Sequence, residues 1–299
     1  MKAIYERELK SYFHSMTGYV FIAFVTMFIG IYFMVFNMIN GYPYFSYTLS
    51  SILMILMIAV PILTMRSMAD ERRSRTDQML LTAPVSVWDI VLGKYLSMVT
   101  IFAIPMVIAC LCPLIIKANG TAYLAEDYAS ILAFFLMGCV YIAIGLFISS
   151  LTESQLIAAA GTFGVLLLLI LWPGLLNFLP STAYGSLAGL LILWSLVSFI
   201  LYRITGHVPL SLGLEILGAA GLIGTYLLNQ RLLEHALKDI LGKIVLTDVF
   251  DSIVNTHILD IGGLVYYVSM AVILLFLTVQ ATQKRRWSRQ TGQAARRKK

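Results

Sequence analysis

Two Gly-Lys pairs, Gly93-Lys94 and Gly242-Lys243, come nearest to a nucleotide-binding loop. Such a loop needs an earlier glycine at fixed spacing, so that backbone N–H groups cradle phosphate, and a Ser or Thr after the lysine to hold magnesium. Neither pair has them, so the chain is not expected to hydrolyse nucleotide or to bind a cofactor. His14, His207, His235 and His257 lie on separate segments at no metal-ligand spacing and read as interfacial histidines. No serine sits in a GxSxG turn. Cys110, Cys112 and Cys139 fall inside apolar runs and read as small buried hydrophobes. Glu215 is the one acid well inside an apolar run. Burying a lone carboxylate is costly, which makes it an intramembrane functional candidate. The plainer readings are a protonated acid packed in a bundle, or a span whose boundary lies elsewhere.

The stretch DERRSRTDQMLLTAPVSVWDIVLGKYL, from Asp70 to Leu96, offers docking rather than catalysis. It sits between apolar runs at 51–65 and 87–116. A loop that only enforced orientation would stay polar, yet Met68, Met79, Leu80 and Leu81 are apolar. Residues 70–81 predict a helix that stops before Pro84, because a residue preceding proline is biased out of helical geometry. A short helix with a charged side and an apolar side, held between two spans, can enter a groove on a partner.

The elements that must position this stretch follow from composition. The chain has 299 residues, 60% hydrophobic and 12% charged. Soluble domains carry about 25% charged residues, so an all-α polytopic membrane protein is expected. The net charge of +6 is then explained by loop charges that set orientation, not by nucleic acid. The charged, amphipathic residues MKAIYERELKSYFHS are not expected to act as a cleavable signal. Residues 2–16 place Ile4, Tyr5, Leu9, Tyr12, Phe13 and Met16 on one face, the pattern of a helix lying in the membrane interface. Spans of roughly 20 residues are expected at about 19–38, 49–65, 90–116, 128–150, 155–176, 183–202, 208–228 and 259–281. Pro105 and Pro113 are candidate kinks in the third. Asn40-Gly41-Tyr42-Pro43 is a turn, and Asn37 with the neighbouring tyrosines reads as an interfacial aromatic belt. Residues 183–228 read as a helical hairpin. Residues 229–257 are amphipathic, with one stripe of Leu233, Leu237, Ile240 and Ile244 and another of Leu246, Phe250 and Ile253. A basic tail, 284–299, suits anionic headgroups. With both termini inside, only Lys117, Arg231, Lys238 and Lys243 of the 21 Lys and Arg fall outside, the bias expected of a cytoplasmic N- and C-terminus.

Four segments resemble the permease subunits of type-2 ABC exporters, above all the branch that includes the gliding-motility permeases. YERELKSYFHSMTGYVF is similar to that family's N-terminal interface helix. ERRSRTDQMLLTAPVSVWDIVLGKYL resembles its cytoplasmic coupling-helix segment, with Leu80-Leu81, Thr82, Pro84 and Gly93-Lys94 in register. GLFISSLTESQLIAA, from Gly145, resembles the junction of the fourth and fifth spans, and DIGGLVYYVSMAVILLFLTVQATQKRRW, from Asp260, the final span. The chain departs from the pattern at Arg75, where glycine is usual, and at Gln78, where glutamate is usual.

The resemblance implies a permease domain over 1–283 with a six-span core, an extra hairpin at 183–228, external helices at 229–257 and a coupling helix at 70–84. It implies a second permease chain, two separate ABC ATPase subunits that carry ATP and magnesium, and a prokaryotic cell membrane. Glu71, Arg72, Arg73, Gln78, Leu80 and Leu81 are the expected ATPase contacts, with Arg7, Glu8, Tyr12 and Phe13 of the interface helix in support. The competing class, an ion-coupled transporter or channel using Glu215, would suit internal repeats with broken helices, and no convincing repeat is found. A membrane-embedded enzyme would need a catalytic constellation, and none is visible.

Overall fold

The computed structural model describes residues 1–76, 85–180, 182–205, 208–228, 233–256 and 259–297. Every regular element among them is helical. Among the described residues, six helices are long and apolar enough to cross a membrane: Thr17–Ile39, Ser46–Arg73, Val87–Asn119, Leu124–Leu151, Gln155–Leu176 and Ile261–Lys284. Two shorter apolar helices, Ala183–Phe199 and Gly213–Tyr226, fall in the expected hairpin. The chain divides into two compact units, one of Met1–Leu168 with Thr247–Lys299, the other of Leu169–Leu246.

The larger unit begins with α1 (Lys2–His14). Met16, at φ 57°, turns the chain into α2 (Thr17–Phe33), which continues as a π-helical turn over Met34–Ile39. Asn37 is buried and holds the following loop. Its Nδ2 donates to the carbonyls of Tyr42 and Tyr44, at 2.8 and 3.0 Å, and its Oδ1 accepts from Thr48. The belt reading of Asn37 therefore missed a structural staple. Helix α3 (Ser46–Thr64) follows, with the Phe45 N–H bonded to Asp127 Oδ1 at 2.7 Å. Then come α4 (Ala69–Arg73), α5 (Val87–Ala109) and α6 (Cys112–Asn119). Pro105 lies inside α5, and the break falls at Cys110 and Leu111, just before Pro113.

Helix α7 (Leu124–Leu151) is the centre of this unit. It packs against α3, α5, α12 (Thr247–Thr256) and α13 (Ile261–Arg297), and Val140, Tyr141, Ile142 and Ala143 are fully buried. Two glycines let neighbours approach it: Gly138 faces the Phe102 ring and Gly145 faces Thr64. Phe250 of α12 meets Phe134 edge-on at 5.7 Å. Leu246, Phe250 and Ile253 are all buried, as their spacing predicts.

Helix α8 (Gln155–Leu176) starts in the larger unit and ends in the smaller. The smaller unit pairs α9 (Ala183–Thr205) with α10 (Val208–Leu228), joined by a bond from Trp194 Nε1 to the Leu214 carbonyl at 3.1 Å. Its α11 (Ala236–Gly242) sets Leu237 over Gly189, and Trp172 Nε1 donates to the Leu241 carbonyl. Of the predicted stripe, Leu233 and Leu237 are buried while Ile240 and Ile244 are exposed.

The helix predicted over 70–81 is interrupted in its described part, and residues 77–81 lie outside the described residues. Helix α4 ends at Arg73, and Arg75 turns away at φ 57°. The Ser74 N–H still reaches the Asp70 carbonyl, but the Arg75 N–H turns to the Arg72 carbonyl, and the Ser74 and Thr76 hydroxyls donate to the Glu71 carbonyl that Arg75 would have used in a longer helix. A left-handed residue other than glycine costs about 1–2 kcal/mol, so Arg75 holds this turn under strain. Replacing Arg75 by glycine is expected to stabilise the turn by about 0.5–1 kcal/mol after the entropic cost of glycine, read as a higher Tm of the purified chain.

Candidate functional site

Helix α1 lies directly on α5 because residue 93 has no side chain. A Cβ there would meet Ile4 Cγ2 at 3.0 Å and Ile4 Cβ at 3.2 Å. The next residue, Lys94, then points beneath α1. Its Nζ lies 3.1 Å from Glu8 Oε1, 2.8 Å from Glu71 Oε1 and 2.9 Å from the Ser67 carbonyl, so all three ammonium protons have acceptors. Lys94 is 1% exposed. Arg7 Nη2 closes the figure, at 2.7 Å from Glu8 and 3.1 Å from Glu71. Two cations and two carboxylates alternate in a closed, neutral ring. The ring joins three elements far apart in sequence: α1, α4 and α5.

This ring is tolerable in a buried place because each charge is paired twice. An unpaired buried ion would cost several kcal/mol, and buried pairs repay that cost only with good geometry. The hydrogen bond to Glu8, aided by the charges of Glu8 and Glu71, pushes the Arg7 guanidinium above its ordinary value against the effect of burial. Burial, followed by the nearby Glu8 charge, pushes the Tyr12 phenol up as well. Tyr12 thus stays a donor, and its hydroxyl bonds the Leu63 carbonyl at 3.2 Å. Phe13 packs edge-on to Tyr19 at 5.0 Å. A cavity of about 450 Å³ opens beside the ring, lined by residues that include Arg66, Ser67 and Asp70.

The far side of α4 is held by the junction of α7 and α8. Ser149 Oγ accepts the N–H groups of Met68 and Ala69, both at 3.2 Å. The Thr152 carbonyl accepts Arg72 Nη1 at 3.2 Å, and Gln155 Nε2 donates to Asp70 Oδ1 at 2.6 Å. Ser149, Thr152 and Gln155 all belong to the segment GLFISSLTESQLIAA. Two segments recognised separately in the sequence therefore form one contact.

Of the residues expected to meet a partner, Arg7, Glu8 and Glu71 are brought together in the ring. Arg72 is turned inward and buried, whereas Arg73 is exposed and makes no ion pair or hydrogen bond among the described residues. Gln78, Leu80 and Leu81 lie outside the described residues. Glu215 is half-buried on α10, within the smaller unit, and does not enter this site. Sequence reasoning missed Lys94, Ser149 and Gln155. Lys94 had a usable signal: a cation inside a predicted span is as costly as the acid at 215, yet it was counted only as a loop charge.

The site joins α1, α4 and α5 through ion pairs and hydrogen bonds. Among the described residues no cluster of His, Cys, Asp or Glu could hold a metal ion. Comparison with curated proteins and with solved structures returns no match. Comparison with protein families matches residues 40–228, more than half of the chain, to the family described as ABC-2 family transporter protein. That match spans α3 to α10, and so includes both the charged stretch and the junction that holds it. The chain belongs to the ABC-2 family of transporter proteins, as a multi-pass membrane permease subunit of an ABC transporter.

Proposed function

We propose that this permease converts ATP hydrolysis by separate partner subunits into export, and that the charged joint is where the push enters. The carrying observation is the ring of Arg7, Glu8, Glu71 and Lys94. It fastens α4 to α1 and α5 at once, so a force on the segment after α4 reaches two further elements together. Coupling of this kind requires that ATP binding favour one of two transmembrane arrangements. The inward side chains Glu71 and Arg72 then act as the mounting, and Arg73 with residues 77–84 forms the contact surface. Two ATPase subunits, carrying ATP and magnesium, dock there, and a second permease chain completes the transporter. The charge bias of the loops supports a cell-membrane protein with both termini in the cytoplasm. The four matching segments support the gliding-motility-like branch.

The test is co-purification with the ATPase encoded at the adjacent locus. Arg73→Glu and Leu80→Glu are each expected to weaken the complex and to lower permease-stimulated ATPase activity at least about fivefold, as loss of an interfacial charge or apolar anchor does. Full complex formation with undiminished stimulation in both variants would sink the reading.

A further inference from the structure

Helix α12 is fastened along one face and carries a carboxyl group at the edge of that face. Phe250 meets Phe134 of α7 edge-on at 5.7 Å, and Thr247, Ile253 and Val254 are buried beside it. On the other side, a Cβ at residue 263 would run into Val249, so a glycine there lets the start of α13 lie directly on α12. The Tyr267 phenol of α13 is fully buried and reaches the Phe250 backbone. At 3.6 residues per turn, Asp251 falls at the rim of the buried face. It is half-buried there and makes no hydrogen bond or ion pair among the described residues.

The groups that surround Asp251 bring no positive charge. Helix α7 presents the Tyr141 phenol, fully buried, with a hydroxyl that has no hydrogen-bond partner, and α13 presents the Tyr267 phenol; both lie within reach of the Asp251 charge. The acids of α7, Glu126 and Asp127, stand about 20 Å further along that helix at its rise of 1.5 Å per residue. Asp260, just before α13, is exposed and also acidic. Helix α3 has no charged side chain over Ser46–Thr64. On α12 itself Asp248 lies one turn before Asp251, where side chains are neighbours and like charges repel. Burial, followed by the Asp248 charge, holds the Asp251 carboxyl above its ordinary value of 3.8.

We propose that α12 is a proton-sensitive latch: neutral Asp251 lets it seat against α7 and α13, and ionised Asp251 loosens it. By linkage, a carboxyl that holds its proton more tightly when seated than when released adds stability below its ordinary value. That contribution is lost as pH rises through the raised value, so α12 opens more readily at neutral than at acidic pH. The helix leads into the last span, and its local release would free the start of α13. Neither an ATPase partner nor an orientation in the membrane enters this latch or its assay.

The full chain, purified in dodecyl maltoside, is exchanged into deuterated buffers from about pH 4.5 to about pH 7.5, with times scaled to the intrinsic amide rate, and peptides from α12 and the centre of α7 are followed by mass. Protection of α12 should fall at least about threefold across this range, within the roughly tenfold per pH unit that one linked proton allows. Protection of α7 should stay constant. Asp251→Asn keeps the shape of the neutral acid, so its α12 should hold the parent's acidic protection throughout. Asp248→Asn removes the neighbouring charge and leaves the latch in place, so the fall should persist and move to lower pH. A flat α12 profile in the parent, an equal fall in Asp251→Asn, or weaker α12 protection in Asp251→Asn than in the parent at neutral pH would overturn the latch.

Discussion

Lys94→Met is expected to destabilise the purified chain by about 3–5 kcal/mol, the usual consequence of removing one partner from a buried ionic group. Methionine fills nearly the same volume, so packing changes little. What changes is charge. Glu8 and Glu71 would share Arg7 alone, and the Ser67 carbonyl would lose its donor. The effect should be read as a large fall in Tm in detergent, together with lower yield from the membrane. Adding Glu8→Gln should recover a substantial part of the loss, because Arg7 and Glu71 then balance each other. Arg7→Gln is the useful contrast. Its side chain is 53% exposed, so water screens it and the expected cost is only about 0–1 kcal/mol. Equal Tm values for Lys94→Met and the parent chain would show that the ring contributes nothing. A Glu8→Gln double variant no more stable than Lys94→Met would show that its charges are not balanced as described.

The contrast between Lys94 and its partners marks what could be read without coordinates. The long apolar runs announced the spans, because a helix needs a fixed length of apolar chain to cross lipid. The charged stretch announced itself by contrast with them, and Glu71, Arg7 and Glu8 were among the residues named in it and in the interface helix. Their grouping was not legible. Glu8, Glu71 and Lys94 lie on three elements, and pattern along one helix says nothing about which charge meets which across a bundle. Glu8 was harder still, since it sits among the apolar residues on the buried face of α1 instead of on its polar face. The end of α4 was misjudged for a different reason. Residues 70–81 are good helix formers, but propensity is a weak prior, and the turn at Arg75 uses a backbone region that arginine does not advertise. The departure from the usual glycine marked the place without giving its geometry.

The same limit applies to Gly145, and its substitution is the second large effect expected. A Cβ at residue 145 would run into Thr64 Oγ1 and would lie 2.8 Å from both Thr64 Cβ and Thr64 Cγ2. Thr64 cannot easily yield. It is fully buried, β-branched and fastened by its own bond to the Val60 carbonyl at 3.0 Å. Gly145→Ala must therefore push α3 away from α7, at a cost of about 1–3 kcal/mol for overpacking. The displacement would not stay local. Ser149 lies one turn further along α7, and its Oγ holds the backbone of Met68 and Ala69 at the entry to α4. Separating the helices therefore loosens the mounting of the charged stretch, and permease-stimulated ATPase activity should fall by more than the loss of stability alone accounts for. Thr64→Ala, which deletes the Oγ1 and Cγ2 atoms in the way, should restore part of the Tm in the Gly145→Ala background while lowering it in the parent. That non-additivity is the measurement to make, since residues in direct contact couple and distant ones do not. Simple additivity of the two substitutions would show that these side chains do not meet, and that the closeness of α3 and α7 does not depend on a glycine.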